Sequence, residues 1–283
     1  MHPKTIHSVH NARVKAAARL RRSTHRARQG KTLVDGIREL TRALEAGVAI
    51  GEAYYCPVRC GSGRAEDLLP RLEQAGCQVF QVSPEVFAKL AYGERAEGWV
   101  GVVEPPRRGL PDLVLPANPL IAVLEGVEKP GNVGAMVRTA DAAGLNAVLV
   151  ADGRTDLFNP NAVRASLGTL FSLPVCAVSS EALLPWLRGA GMQICAARVD
   201  GERLYSEVDF RIPTALVLGA EAAGLSPAWQ GAEIVSLQLP MCGVGDSLNV
   251  SAAAAVLFYE ARRQRGWPGA GGPQHGDGCP TEG

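Results

Sequence analysis

Six short apolar runs in the second half of this chain limit its possible folds more than any other feature. They are "LIAVLEGV" from Leu120, "NAVLVA" from Asn146, "LPVCAV" from Leu173, "QICAARV" from Gln193, "TALVLG" from Thr214 and "EIVSLQL" from Glu233. Each is apolar almost throughout, and helical patterns fall between them near Val133–Ala143, Asn161–Leu167, Glu181–Gly189 and Val250–Arg263. Strands apolar on both faces, alternating with helices, predict a parallel sheet covered on both sides. The first half alternates too. "KTLVDGIRELTRALEAG" reads as a strand entering an amphipathic helix, with Ile37, Leu40, Ala43 and Leu44 on one face. "IGEAYYCP", "CQVFQVS" and "GWVGVVE" are strand-like, while "EDLLPRLEQAG" and "PEVFAKLAYG" are helical. This predicts a smaller α/β module over 29–104 and a larger α/β domain over 119–265. Pro105, Pro106, Pro111 and Pro116 mark a linker over 105–118. At 283 residues and 47% hydrophobic content the chain can bury two such cores. The Gly- and Pro-rich stretch over 266–283 predicts a disordered tail.

Several function classes are disfavoured at once. All five histidines (His2, His7, His10, His25, His275) lie in the first 25 residues or the last nine. Ser-His-Asp and Cys-His hydrolases and histidine-ligated metals need an imidazole at the chemistry. Catalysis in the folded core must therefore run on Arg, Glu, Asp, Ser, Asn or backbone groups. The seven cysteines are scattered; Cys56 and Cys60 are close, but no second pair or histidine follows at zinc spacing. They read as free thiols in a reducing compartment, with no metal site. No apolar run reaches the length of a membrane span, and Met1–Gly30 lacks an apolar signal core, so a soluble cytoplasmic protein is expected.

Charge is unevenly placed. Residues 1–40 hold ten Lys/Arg against Asp35 and Glu39, a net +8, and the remainder carries 19 basic and 26 acidic residues, a net −7. A basic arm over 1–28, with Arg26 and Arg28 at its end, suggests a polyanion partner; a solvated, partly disordered terminus explains it equally well.

Three loops in the second domain share a design: a strand ending in small residues that permit close backbone approach. They are "LEGVEKPGNVGAMVRTADAAGL" from Leu124, "LVLGAEAAGLS" from Leu216 and "LPMCGVGDSLNVSAAAAVLFYEARRQR" from Leu239. Ligands of parallel α/β sheets sit beyond the carboxyl ends of strands, so the three loops can converge on one crevice. "CGVGDS" superficially resembles a dinucleotide glycine loop, but it follows the last strand and no βαβ unit with a ribose acid comes after it.

Together these stretches resemble the three ordered motifs of the SpoU (TrmH-type) branch of the SPOUT RNA methyltransferases. "PGNVGAMVRTADAAG", "GAEAAGLS" and "LPMCGVGDSLNVSAAAAVLFYEA" each match one motif, and coverage runs from about Leu120 to Arg265. The resemblance implies an RNA 2′-O-ribose methyltransferase using S-adenosyl-L-methionine, a knotted (trefoil) parallel-sheet domain, and a homodimer. The N-terminal part resembles, more loosely, the family's small substrate-binding module. "NAVRASLGTLFSLPV" resembles members acting on ribosomal RNA, which favours that substrate over transfer RNA. A non-catalytic RNA-binding or assembly factor is the other class; it would not need the motif residues together. Ala222–Ala223, where many members have glycine, departs from the second motif.

The resemblance places catalytic function on Arg138, Asn132, Glu221, Ser247 and Asn249. Arg138 would act as a cation binding phosphate and stabilising a developing alkoxide, or else as a base; a guanidinium is effectively always protonated, which favours the first. Asn132 would orient the ribose, and its residue type also suits a helix N-cap. Glu221 would position Arg138 or a site hydroxyl. Ser247 and Asn249 would complete the polar rim, or simply bond within the turn before the last helix. Gly219, Leu239 and Leu248, with Leu218, Met241 and Asn249, would hold the cofactor through backbone and apolar contact. Arg164 and Ser166 would grip RNA phosphates, as Arg26 and Arg28 would from the arm; an ordinary helix surface explains Arg164 and Ser166 almost as well.

Overall fold

A computed structural model of the protein describes residues 3–60, 65–92, 97–153, 155–221 and 223–267. The first domain is built from β1 (Lys4–Ile6), α1 (Ala12–Arg19), α2 (Ser23–Gln29), β2 (Thr32–Asp35), α3 (Ile37–Glu45) and β3 (Ala49–Tyr55). It continues with α4 (Ala65–Gln74), β4 (Gln78–Val82), α5 (Pro84–Leu90) and β5 (Trp99–Glu104). Its five-stranded mixed sheet has the order β1-β4-β3-β5-β2, antiparallel where β5 pairs with β3 and β2.

The expected arm over 1–28 is part of this domain. Its β1 pairs in parallel with β4, Lys4 opposite Phe80, and its α1 buries Val14 and Ala17 with Leu20 just beyond. Asn11 starts α1 by accepting from the Arg13 N–H at 2.9 Å. Charge density suggested a free segment, but the small apolar residues between the charges give α1 a face to bury. The linker expected over 105–118 is likewise packed: Leu110, Leu113 and Leu115 lie against the second domain's core. Within the tail expected over 266–283, residues 268–283 lie outside the described residues; Trp267 packs against Tyr259 with ring centroids 5.9 Å apart.

The second domain contains β6 (Leu120–Glu125), α6 (Pro130–Ala142), β7 (Ala147–Ala151), α7 (Pro160–Ala165), α8 (Thr169–Ser172) and β8 (Val175–Val178). After these come α9 (Ser180–Gly189), β9 (Gln193–Ala197), β10 (Arg203–Leu204), β11 (Thr214–Leu218), β12 (Ile234–Gln238) and α10 (Val250–Arg265). All six apolar runs are strands, and only the two-residue β10 was not anticipated. The sheet is wholly parallel in the order β10-β12-β9-β11-β6-β7-β8. The chain starts in its middle at β6, builds outward through β7 and β8, then crosses to fill the other side. That reversal between β6 and β11 is where such sheets open a ligand crevice. Along β6, Leu120, Ala122 and Leu124 face α6 and α10, while Ile121 and Val123 face α9. Burial on both faces explains why its pattern is continuous rather than alternating.

The domains share a core. Val34, Leu40 and Trp99 of the first belong to the same buried cluster as Phe158, Leu170 and Phe171 of the second. Backbone approach is close at Gly168 (φ +84°), where an added Cβ would lie 3.0 Å from Glu39 Cα, so a side chain there would force the domains apart.

Candidate active site

The site forms where β9, β11 and β12 end. After β11 the chain turns through residues 219–226 as a tight knuckle in which Ala220 and Gly224 exchange two backbone hydrogen bonds of 3.1 and 2.8 Å. A Cβ on Gly219 would lie 2.3 Å from the Gly224 carbonyl carbon, so the closure requires glycine. Ala222 of the second motif lies outside the described residues. After β12, residues 240–249 run exposed until Asn249 starts α10, accepting from the Ser251 N–H at 3.0 Å. At α6, Lys129 occupies the cap position and Pro130 the first helical one, where its missing N–H costs nothing. Asn132 therefore sits inside the first turn rather than at the cap, which leaves its side chain free to reach across the crevice.

Glu221 ties the three segments together. Its carboxylate accepts from Lys129 Nζ at 2.5 Å, from the Asn132 amide, and from Asn249 Nδ2 at 3.1 Å. The Lys129 bond, supported by the two amides and outweighing desolvation, holds the Glu221 carboxyl below its ordinary range. Asn249 serves two ends at once, its oxygen capping α10 and its nitrogen holding Glu221. The turn bonding expected for Asn249 thus coexists with its bond to Glu221. Arg138 is not a partner of Glu221, which corrects one of the two roles expected for that carboxylate. The Arg138 side chain is exposed on α6 and bonds to no other described residue.

A cavity of about 850 Å³ opens beside this junction. Leu218, Gly219, Leu239, Met241 and Leu248 line it, with Ser247, Asn249 and Glu221 at its polar side. Asn132 and Arg138 are not in its wall. Four charged groups there were not singled out from the sequence: Lys129, Arg198, Asp200 and Asp246. Arg198 forks onto Asp200 through bonds of 2.8 and 2.9 Å. For Arg198 and Asp200 the available signal was position: Arg198 lies within "QICAARV" and Asp200 directly after it, at the carboxyl end of a strand that borders the crevice.

Three of the expected RNA contacts have internal partners instead. Arg26 is 4% exposed; its Nε donates to Asp156 at 2.6 Å and its Nη1 to the carbonyls of Leu20 and Arg21, each at 2.9 Å. Ser166 is fully buried and donates to the Val163 carbonyl at 2.8 Å. Arg164, half-buried, donates to the Tyr92 carbonyl across the domain boundary. Arg26 and Ser166 are therefore turned away from any phosphate in this fold, while Arg164 keeps part of its guanidinium at the surface. Arg28 is exposed on α2.

The SpoU rRNA methylase family model matches residues 119–259, and the MRM3-like substrate binding domain matches residues 11–101. The 23S rRNA (uridine(2479)-2′-O)-methyltransferase of Streptomyces viridochromogenes is 35% identical over 249 residues, 85% of each chain. This chain belongs to the SpoU rRNA methylase family. Solved SpoU-type structures agree over nearly the whole length. A crystal structure of an RNA 2′-O ribose methyltransferase aligns with TM-score 0.78 and 38% identity, covering 92% of this chain and 99% of that one. The AdoMet-bound rRNA methyltransferase from Sinorhizobium meliloti aligns with TM-score 0.83 and 29% identity, covering 92% and 97%. As a SpoU-family member with the SPOUT fold, the protein is an S-adenosylmethionine-dependent RNA methyltransferase.

Proposed function

We propose that this protein methylates a ribose 2′-hydroxyl of ribosomal RNA, and that the junction at Glu221 is its active site. The observation that carries this reading is the convergence of all three motif loops on one carboxylate beside one cavity. The cavity's size falls in the range of small-molecule sites, and its mixture of backbone, apolar and few polar groups suits a flat purine and a sulfonium. Leu218, Gly219, Leu239, Met241 and Leu248 would hold S-adenosylmethionine, which supplies the electrophilic methyl group. A ribose hydroxyl is a poor nucleophile near neutral pH, so the protein must orient it and stabilise the charge that builds as its proton leaves. Asn132, fixed by Glu221, is placed to orient that ribose, with Ser247 and Asn249 on the rim. Arg138, exposed and without a partner among the described residues, supplies the cation, because a guanidinium serves as a donor fork far more readily than as a base.

Contact with RNA is supported by a recess of about 310 Å³ lined by Lys15, Arg19, Arg22, His25 and Lys89, with no acidic side chain in its wall. Arg28 remains a candidate contact on the neighbouring turn. The protein acts as a homodimer through its second domain; support comes from the exposed Val256 and Tyr259 on α10, with the Trp267 ring packed at a tilt against Tyr259. It works in the cytoplasm, in keeping with the absence among the described residues of any helix long and apolar enough to cross a membrane.

Mapping ribose methylation across total RNA, with and without the protein, tests the function. Loss of a ribosomal 2′-O-methyl group is the expected result. Loss confined to transfer RNA would reassign the substrate, and no loss anywhere would overturn the reading.

A further inference from the structure

The last residue of β6, Glu125, is 5% exposed, and no cation among the described residues pairs with it. A buried carboxylate is costly unless donors satisfy it. Three do, and all come from outside β6. The Ser226 N–H donates to Oε2 at 2.7 Å, the Ser226 hydroxyl to Oε1 at 2.6 Å, and the Ser180 hydroxyl to Oε1 at 3.2 Å. Ser226 is the residue at which the 219–226 knuckle ends, and Ser180 opens α9.

The knuckle forms one wall of the cavity, through Gly219, Ala220, Gly224 and Leu225, and presents Glu221 at its tip. Its entrance is fixed by β11, whose Leu218 pairs with Leu124 of β6. Its exit carries the two Ser226 bonds to Glu125, just before the short turn Pro227–Trp229 whose Trp229 is buried. Because Ala220 and Gly224 are bonded to each other, the knuckle moves as a unit, so a shift at Ser226 is passed to Leu225, Gly224 and Glu221. We infer that Glu125 is a positioning residue for the cofactor pocket, acting through Ser226 to set the pose of the knuckle. This rests on the methyltransferase reading above and assigns a task to a carboxylate that touches neither the cavity nor the catalytic groups.

The test is calorimetric binding of S-adenosylhomocysteine to the full chain, alongside thermal melting and methyl transfer. Glu125→Gln removes one accepting oxygen, and Ser226→Ala removes the hydroxyl bond while leaving Glu125 in place. Each should weaken binding by about tenfold, in line with bonds to a charged group. Turnover at saturating cofactor should stay within a few fold of wild type, so that KM rises while kcat holds. Ser180→Ala takes a donor from the same carboxylate without touching the knuckle. It should lower the melting temperature comparably and leave affinity within twofold. Wild-type affinity in both Glu125→Gln and Ser226→Ala would overturn the positioning role, as would an equal loss in Ser180→Ala, which would reduce the effect to general stability. If Glu125→Gln fails to fold, Ser226→Ala decides alone. A wild-type protein that binds no S-adenosylhomocysteine would overturn the methyltransferase reading and the positioning role with it.

Discussion

The seam between the domains and the cleft beyond β11 use similar residues in opposite ways. In the seam the polar groups are buried or half-buried and occupied: Arg26 on Asp156, Thr32 Oγ1 on the Phe158 carbonyl at 2.6 Å, Arg42 on the Leu167 carbonyl at 2.6 Å, Arg164 on the Tyr92 carbonyl. In the cleft they stand at the surface. Lys129 is 71% exposed, Arg138 is exposed without a partner among the described residues, and Ser247 and Asn249 sit on an open loop. A cation whose donors are saturated inside the fold holds two domains together; one left free can meet a charge that appears only during a reaction. An arginine's sequence neighbours do not reveal which kind it is.

The sharpest way to break this comparison is Arg138→Ala. Losing a cation that stabilises transition-state charge should lower turnover by roughly two to three orders of magnitude. Melting temperature and cofactor affinity should stay near wild type, because the side chain supports nothing in the fold. Arg138→Lys sharpens the result: partial recovery points to simple electrostatics, none to the planar fork. Normal methylation by Arg138→Ala would remove Arg138 from the mechanism.

Arg26→Ala should do the reverse. Three bonds are lost and Asp156 keeps only the Phe158 N–H without its cation, at a cost of about 2–3 kcal/mol and several degrees in thermal melting. S-adenosylhomocysteine affinity should not change. A variant that melts like wild type but binds RNA poorly would return Arg26 to the RNA-contact role.

The smallest effect concerns pH. Burial, outweighing the Tyr92 N–H bond of 2.6 Å and the attraction of Arg164, pushes the Asp35 carboxyl up to about 6 from 3.8. Its folded pKa is raised, so its contribution is fully present below about pH 4 and is lost as pH rises through 6. The change should be on the order of 1–2 kcal/mol after relaxation of the site. Asp35→Asn should flatten the stability profile between pH 4 and 6, with a residual slope from Glu39, which burial also raises. Denaturant midpoints measured across that window check it; an unaltered slope would show that Asp35 is not the titrating group.

Much of the fold was legible because it rests on local pattern. Six uninterrupted apolar runs could only be strands buried on both faces, and three glycine-bearing loops after them could only meet at one edge. The pocket residues Gly219, Leu239 and Leu248 followed from the motifs and line a single cavity. What misled was charge. The ten cations of residues 1–40 suggested an arm, yet α1 and α2 are packed and Arg26 finds its carboxylate 130 residues away. Ser166 read as surface on a helix that the fold turns inward, where its hydroxyl bonds within its own turn.

By itself the sequence determined the strands, the order of the motifs and the chemistry available to them, because side-chain period and residue type are local properties. Tertiary structure alone decided who pairs with whom. Glu221 was expected to position Arg138 or a site hydroxyl, and it holds Lys129, Asn132 and Asn249. Those bonds span 92, 89 and 28 positions of chain, and Glu125 reaches Ser226 across 101. The choice depends on the parallel sheet bringing the ends of β6, β11 and β12 to one edge, a consequence of strand order that no stretch of residues encodes alone.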